Sequence, residues 1–202
     1  MTTLGKNTEE LILEAARKVF IQKGCAGARM QEIADEAGIN KALLHYYFRG
    51  KDKLFEAVFR QAANCLLPVM KNVLESEIPL LQKIELFINR YIDVLLENPH
   101  LPAFVIQELN QDPARFIGYL KTVGINPAPL FLQIEQEMIL GHIRPMKADH
   151  FMVNLLGICL FPFMARPVVK TVLKMSDEKY NEFLVERKRE VVQFVMNSIT
   201  VS

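Results

Sequence analysis

Residues 38–55 read GINKALLHYYFRGKDKLF. Four ring side chains stand in a row, His45-Tyr46-Tyr47-Phe48, and Arg49, Lys51 and Lys53 follow within five residues. Ammonium and guanidinium groups pair with phosphate, while imidazole and phenol groups add hydrogen bonds and bury area against a sugar edge. A core helix does not accept that polarity, and a plain solvated face has no use for that many rings. The surface that needs both is a nucleic-acid backbone.

Other chemistries find less support. The chain holds no GxSxG, no P-loop and no GxGxxG. Glu97-Asn98-Pro99-His100 has the ExxH spacing of di-iron bundles, but Pro99 breaks the helix that spacing requires and no second copy exists. His142 and His150 stand eight apart with no cysteine or carboxylate cluster around them. Cys25, Cys65 and Cys159 form no CxxC pair and no disulfide framework, which fits a reducing compartment, and Cys25 has no evident base. No catalytic residue, metal ligand or cofactor is assigned, and an enzyme is not expected.

The 202 residues carry a formal charge of +1, and half are hydrophobic, enough for a substantial core. Residues 1–60 hold 10 Lys/Arg against 8 Asp/Glu, with the basic excess at Lys41, Arg49, Lys51 and Lys53. The N-terminus is acidic where a signal peptide is basic. The longest apolar stretch, FMVNLLGICLFPFMA at 151–165, contains Asn154 and Pro162 and is too short to span a bilayer. A soluble cytoplasmic protein is expected.

The elements that must position these residues are helices. Apolar residues recur at helical spacing and no alternating strand pattern appears, so the fold class is all-α. Asn7 and Glu10 suggest a capping box before a first helix ended by Gly24 and Gly27. A second helix is predicted over about 30–37, a third over 41–47 capped by Asn40, and a fourth from Lys51 with Pro68 inside it. Further helices are predicted over about 80–97, 101–110, 113–123, 128–140, 148–165 and 177–199, punctuated by proline and glycine. The organisation is an N-terminal three-helix head, residues 1–52, joined by a long helix to a helical body, residues 53–202.

Segment 30–48 is helix, glycine turn, helix, the helix-turn-helix pattern. Its second helix can lie in the DNA major groove. Ile33, Ile39, Leu44 and Phe48 pack the helices together, leaving Lys41, Ala42, Leu43, His45 and Tyr47 outward; Tyr46 alone reads as a ring packed between helices. Lys51 sits in the first turn of the next helix, where a lysine opposes the macrodipole unless an anion lies near. The same geometry occurs in helical proteins that never meet DNA, and spacing does not choose between them.

The runs AARKVFIQKG, MQEIADEAGI and NKALLHYYFRGKDKLF appear in that order, and across about residues 8–60 the chain resembles the N-terminal domain of the TetR family of bacterial transcriptional regulators. The resemblance implies a ligand-responsive repressor that binds a palindromic double-stranded DNA operator as a homodimer. It places Lys41, Ala42 and Leu43 at base-contacting positions and His45, Tyr46, Tyr47 and Lys51 at phosphate-contacting ones, with Arg29 and Gln31 as further contacts. Arg29 stands where the family usually has a Thr or Ser cap, Leu43 where Thr is common, and His45 where Tyr is common. The other uses of such a fold are a nonspecific nucleoid or protein-binding module and, remotely, a helical-bundle enzyme.

Beyond residue 60 the resemblance weakens. It implies a dimer interface on the last two long helices, with candidates Leu155, Leu156, Cys159, Leu160 and Phe163 on one and Leu184, Val191, Phe194, Val195 and Ile199 on the other. An apolar or amphipathic effector would lie among the middle helices. Candidate contacts are Phe87, Tyr91, Phe104, Phe116, Tyr119, Phe131 and Met138, with Gln107, Glu108 and His142 as orienting groups. The same residue types also build any core.

Overall fold

The computed structural model describes residues 3–99 and 101–201, with backbone alone for residues 3–7, 107, 108, 111 and 115. His100, and with it the ExxH spacing, lies outside them. Eleven helices are described: α1 (Thr3–Gly27), α2 (Met30–Glu36), α3 (Lys41–Tyr47), α4 (Lys51–Leu74), α5 (Leu80–Glu97), α6 (Leu101–Gln111), α7 (Pro113–Val123), α8 (Ala128–Ile139), α9 (Ala148–Met164), α10 (Arg166–Val172) and α11 (Asp177–Ile199). Among the described residues there is no strand beyond a single bridge between Ile143 and Thr200. The fold is all-α.

The helices form two compact units. The first takes the chain up to Cys65 together with Ala103–Pro113; the second takes Leu66–Pro102 and everything from Ala114 onward. The division falls inside α4 and inside α6. Aromatic packing explains why parts of both helices join the first unit: Phe55 meets Phe20 at 5.0 Å edge-on, and Phe55 and Phe59 both pack on Phe104, at 5.4 and 6.2 Å.

In the first unit α1 begins at Thr3, so Asn7 lies within the helix and not at its cap. Gly24, at φ 69 and ψ 169, breaks α1 near its end, a conformation that disfavours any side chain. Ile12, Ala16 and Phe20 of α1 and Ile33 and Ala34 of α2 are fully buried, making the hydrophobic face on which α3 rests.

In the second unit α5 is the central rod. Ile84, Phe87, Ile88, Tyr91, Ile92 and Leu95 are all buried, and α5 packs on α8, α9 and α11. Each such side chain contributes about 1.5–3 kcal/mol relative to exposure. One polar residue is buried with them, Lys83. The sequence pattern predicted one helix over 148–165; α9 ends at Met164, and the separate helix α10 follows at a bend of 76°. The corner is held by α11. Tyr180, fully buried, donates its hydroxyl to Pro162 O at 2.7 Å. Arg166 reaches Asp177 at 3.1 Å and Asn181 at 3.0 Å, and Lys170 pairs with Asp177 at 2.6 Å. Among the described residues no single helix is long and apolar enough to cross a membrane; α9 and α10 together pass by composition alone.

Candidate nucleic-acid interface

The turn between α2 and α3 is a Schellman motif. Gly38, at φ 66, donates to Asp35 O at 3.1 Å, and Ile39 N donates to Ala34 O at 3.0 Å. Asn40 Oδ1 then accepts the Leu43 N–H at 2.8 Å and starts α3. Leu44 is fully buried and Phe48 nearly so, and together they fix the rotation of α3. That rotation leaves Lys41, Ala42, His45 and Tyr46 exposed and Leu43 and Tyr47 half-buried.

Tyr46 is 80% exposed, not packed between helices; its ring meets that of Tyr47, edge-on at 5.5 Å. The side-chain direction follows from one turn of α3: with Leu44 inward, residues 45 and 46 both turn out. Seven residues give α3 a length of roughly 10 Å, short enough to enter a major groove end-on or lengthwise.

The charges divide into two sets. Lys18 pairs with Glu36 at 3.2 Å, Lys23 with Glu32 at 2.9 Å and Lys53 with Glu56 at 3.1 Å. Arg29, Lys41 and Arg49 are exposed, and none has a carboxylate partner among the described residues. Arg29 precedes α2 and has no acceptor to offer as a cap; only the reverse half of a capping box forms, Arg29 N to Glu32 Oε2 at 3.2 Å. The Lys23 ammonium, and then the Arg29 N–H, hold the Glu32 carboxyl below its ordinary range. Gln31 is engaged along its own helix, donating to Asp35 at 2.8 Å.

Lys51 has a role that the spacing does not reveal. Its ammonium donates to Ala26 O at 3.1 Å and Ala28 O at 3.2 Å, closing the carbonyl end of α1 from the first turn of α4. Those contacts relieve the unfavourable position against the α4 dipole. One N–H of the three remains for a phosphate.

In the second unit, the candidate effector contacts separate. Phe87 and Tyr91 are buried and stacked at 5.6 Å. Phe104 belongs to the first unit's core. His142 is exposed and faces Glu137 at 2.8 Å. Phe116, Tyr119, Phe131 and Met138 are half-buried, and Met138 Sδ accepts from Met146 N at 3.1 Å. The side chains of Gln107 and Glu108 lie outside the described residues. Phe87 alone of these candidates lines the small cavity at the centre of the unit, about 10 Å³, with Leu74, Lys83, Ile84, Leu130, Met152 and Leu155. Lys83 was invisible to pattern reading, because a lysine in LLQKIELF passes for the solvated face of an amphipathic helix.

The candidate interface residues are also redistributed. Leu155, Cys159, Phe163, Leu184, Val191, Val195 and Ile199 are buried inside the chain's own core, where they pack with α5. Burial pushes the Cys159 thiol up to about 12, so it is an inert core group. Leu156 and Leu160 are half-buried, and Phe194 is 64% exposed. The apolar residues that face outward are instead Val153 and Phe161 on α9 and Val185 and Phe194 on α11. Among the described residues no three His, Cys, Asp or Glu side chains gather to hold a metal ion.

Comparison with known proteins agrees with this geometry. Residues 12–58 match the family model for bacterial regulatory proteins, tetR family. The chain is 26% identical over 174 residues to the probable HTH-type transcriptional regulator YttP of Bacillus subtilis (strain 168), covering 84% of each chain. It is 34% identical over 101 residues to the HTH-type transcriptional regulator RutR of Escherichia coli (strain K12), covering 50% of this chain and 47% of that one. The fold is similar to the crystal structure of a TetR family transcription regulator from Marinobacter aquaeolei VT8, with TM-score 0.69 at 14% identity over the whole of both chains. The helix-turn-helix head with its exposed α3 face, and regulators as relatives, lead to one conclusion: residues 12–58 form a DNA-binding head of the tetR type, and the chain is similar to bacterial transcriptional regulators of that family.

Proposed function

We propose that this regulator is a ligand-responsive repressor that binds a palindromic operator as a homodimer in the bacterial cytoplasm, without enzymatic activity. Residues 1–52 carry the DNA contacts, and residues 53–202 carry the effector and the dimer contact. The observation that carries this reading is the outward face of α3, where Lys41, Ala42, His45 and Tyr46 are exposed, together with the exposed Arg29 and Arg49, which have no carboxylate partner among the described residues. A pair of such heads related by a two-fold axis reads half-sites about 34–36 Å apart, or a multiple of that.

Selection of bound sequences from random duplex DNA tests the reading and returns the operator. A palindromic consensus is expected. Binding with no sequence preference would leave a nonspecific nucleoid protein, and no binding would remove the DNA assignment. On the selected operator, Lys41→Ala is expected to change base preference within a half-site. Lys51→Ala is expected to weaken every sequence about equally, to flatten the salt dependence by roughly one unit, and to cost the head about 1 kcal/mol through its two carbonyl contacts. A lower stability with an unchanged salt slope would make Lys51 a cap and nothing more.

A further inference from the structure

Lys83 is 3% exposed, and lysine is almost never buried without a partner. Its ammonium makes one hydrogen bond, to Leu74 O at 3.3 Å, and no carboxylate pairs with it among the described residues. It lines the small central cavity, whose other walls include Phe87, Leu130, Met152 and Leu155, all apolar. The Leu74 carbonyl at the end of α4 offsets part of the ammonium's desolvation, and no opposite charge offsets the rest.

We infer that Lys83 is the counter-ion for an anionic effector, a monocarboxylate with an apolar tail, whose carboxylate seats against the ammonium and whose tail takes up the space among Phe87, Leu130, Met152 and Leu155. This deepens the effector half of the proposed function and rests on it. The cavity as it stands has room for about one water, so the ligand enlarges it. Met152 is the wall suited to give way: it is half-buried on α9, unbranched, and free about three bonds. Desolvation also lowers the pKa of Lys83 from its ordinary value, and the charge of a bound carboxylate opposes that shift. The rest of the wall offers only dispersion and apolar burial, which a tail of methylenes matches.

Octanoate and octanol, equal in tail and different in charge, are the probes, with binding to the full-length protein followed by calorimetry. Octanoate is expected to bind saturably at least about tenfold more tightly than octanol, and Lys83→Met to abolish that preference. Should Lys83→Met not fold, Lys83→Gln carries the same comparison. Equal affinity for the two probes, no binding of either at millimolar concentration, or a preference that survives loss of the lysine would overturn the inference. Operator binding by the unliganded protein is measured separately, so a failed effector assignment is distinguished from a failed DNA assignment.

Discussion

Tyr180→Ala is expected to destabilise the second unit by about 3–5 kcal/mol, the range for truncating a large, fully buried aromatic side chain. The residue does two jobs at one place. Its ring sits in the core beside Phe183 at 5.5 Å and under the Arg166 guanidinium at 5.1 Å. Its hydroxyl satisfies Pro162 O in the last turn of α9, where the 76° bend into α10 takes away the next helical donor. Tyr180→Phe separates the two: it keeps the ring and is expected to cost only about 1–2 kcal/mol, the penalty for an unpaired buried carbonyl. Denaturant titration of the three proteins measures both steps. If Tyr180→Phe costs as much as Tyr180→Ala, the hydrogen bond and not the packing holds the corner.

Phe161→Glu is expected to raise the dimer dissociation constant about a hundredfold or more while leaving the monomer folded. Phe161 is 61% exposed on α9, one side of a face that also shows Val153, and Phe194 is its counterpart on α11. In the proposed homodimer these residues bury against their own copies. A two-fold axis then places two new carboxylates in one apolar contact, where neither finds a partner. Sedimentation at micromolar concentration, with helical content checked alongside, reads the result. A native protein that is already monomeric, or a Phe161→Glu variant that remains dimeric, would remove α9 from the interface.

That choice of residues differs from the one the sequence pattern suggests, and the difference is instructive. Helical spacing shows that residues 155, 159 and 163 form a stripe, but not which neighbour covers it. In the fold α5 covers it, together with the matching stripe of α11, so both faces are spent inside one chain. The head was more legible because its signals are local: Gly38 for the left-handed turn, Asn40 for the cap, Leu44 for the rotation of α3. The separate helix α10 was hidden by an apolar run that continues to its first residue. The carbonyl contacts of Lys83 and Lys51 were not legible for one shared reason: what a lysine donates to depends on which carbonyl end another helix brings near it, and no spacing in its own helix records that.

Among the described residues four cations close helix ends in this way, Lys51 on Ala26 and Ala28, Lys71 on Val123 at 3.1 Å, Lys83 on Leu74, and Arg144 on Thr200 at 3.0 Å. Acid separates such contacts from ordinary ion pairs. The Glu32 carboxyl, held below its ordinary range by Lys23, stabilises the head above its unfolded pKa, and that contribution is lost as pH falls through the depressed value. A backbone carbonyl does not titrate, and acid only keeps the lysine charged. The α1–α2 brace at Lys23 and Glu32 therefore slackens on acidification while the α1–α4 anchor at Lys51 stays closed. Amide exchange near Met30 should then quicken once the pH falls below the ordinary carboxylate pKa, beyond the intrinsic change, before exchange around Ala28 does. Equal change at both places would mean the two seams open as one.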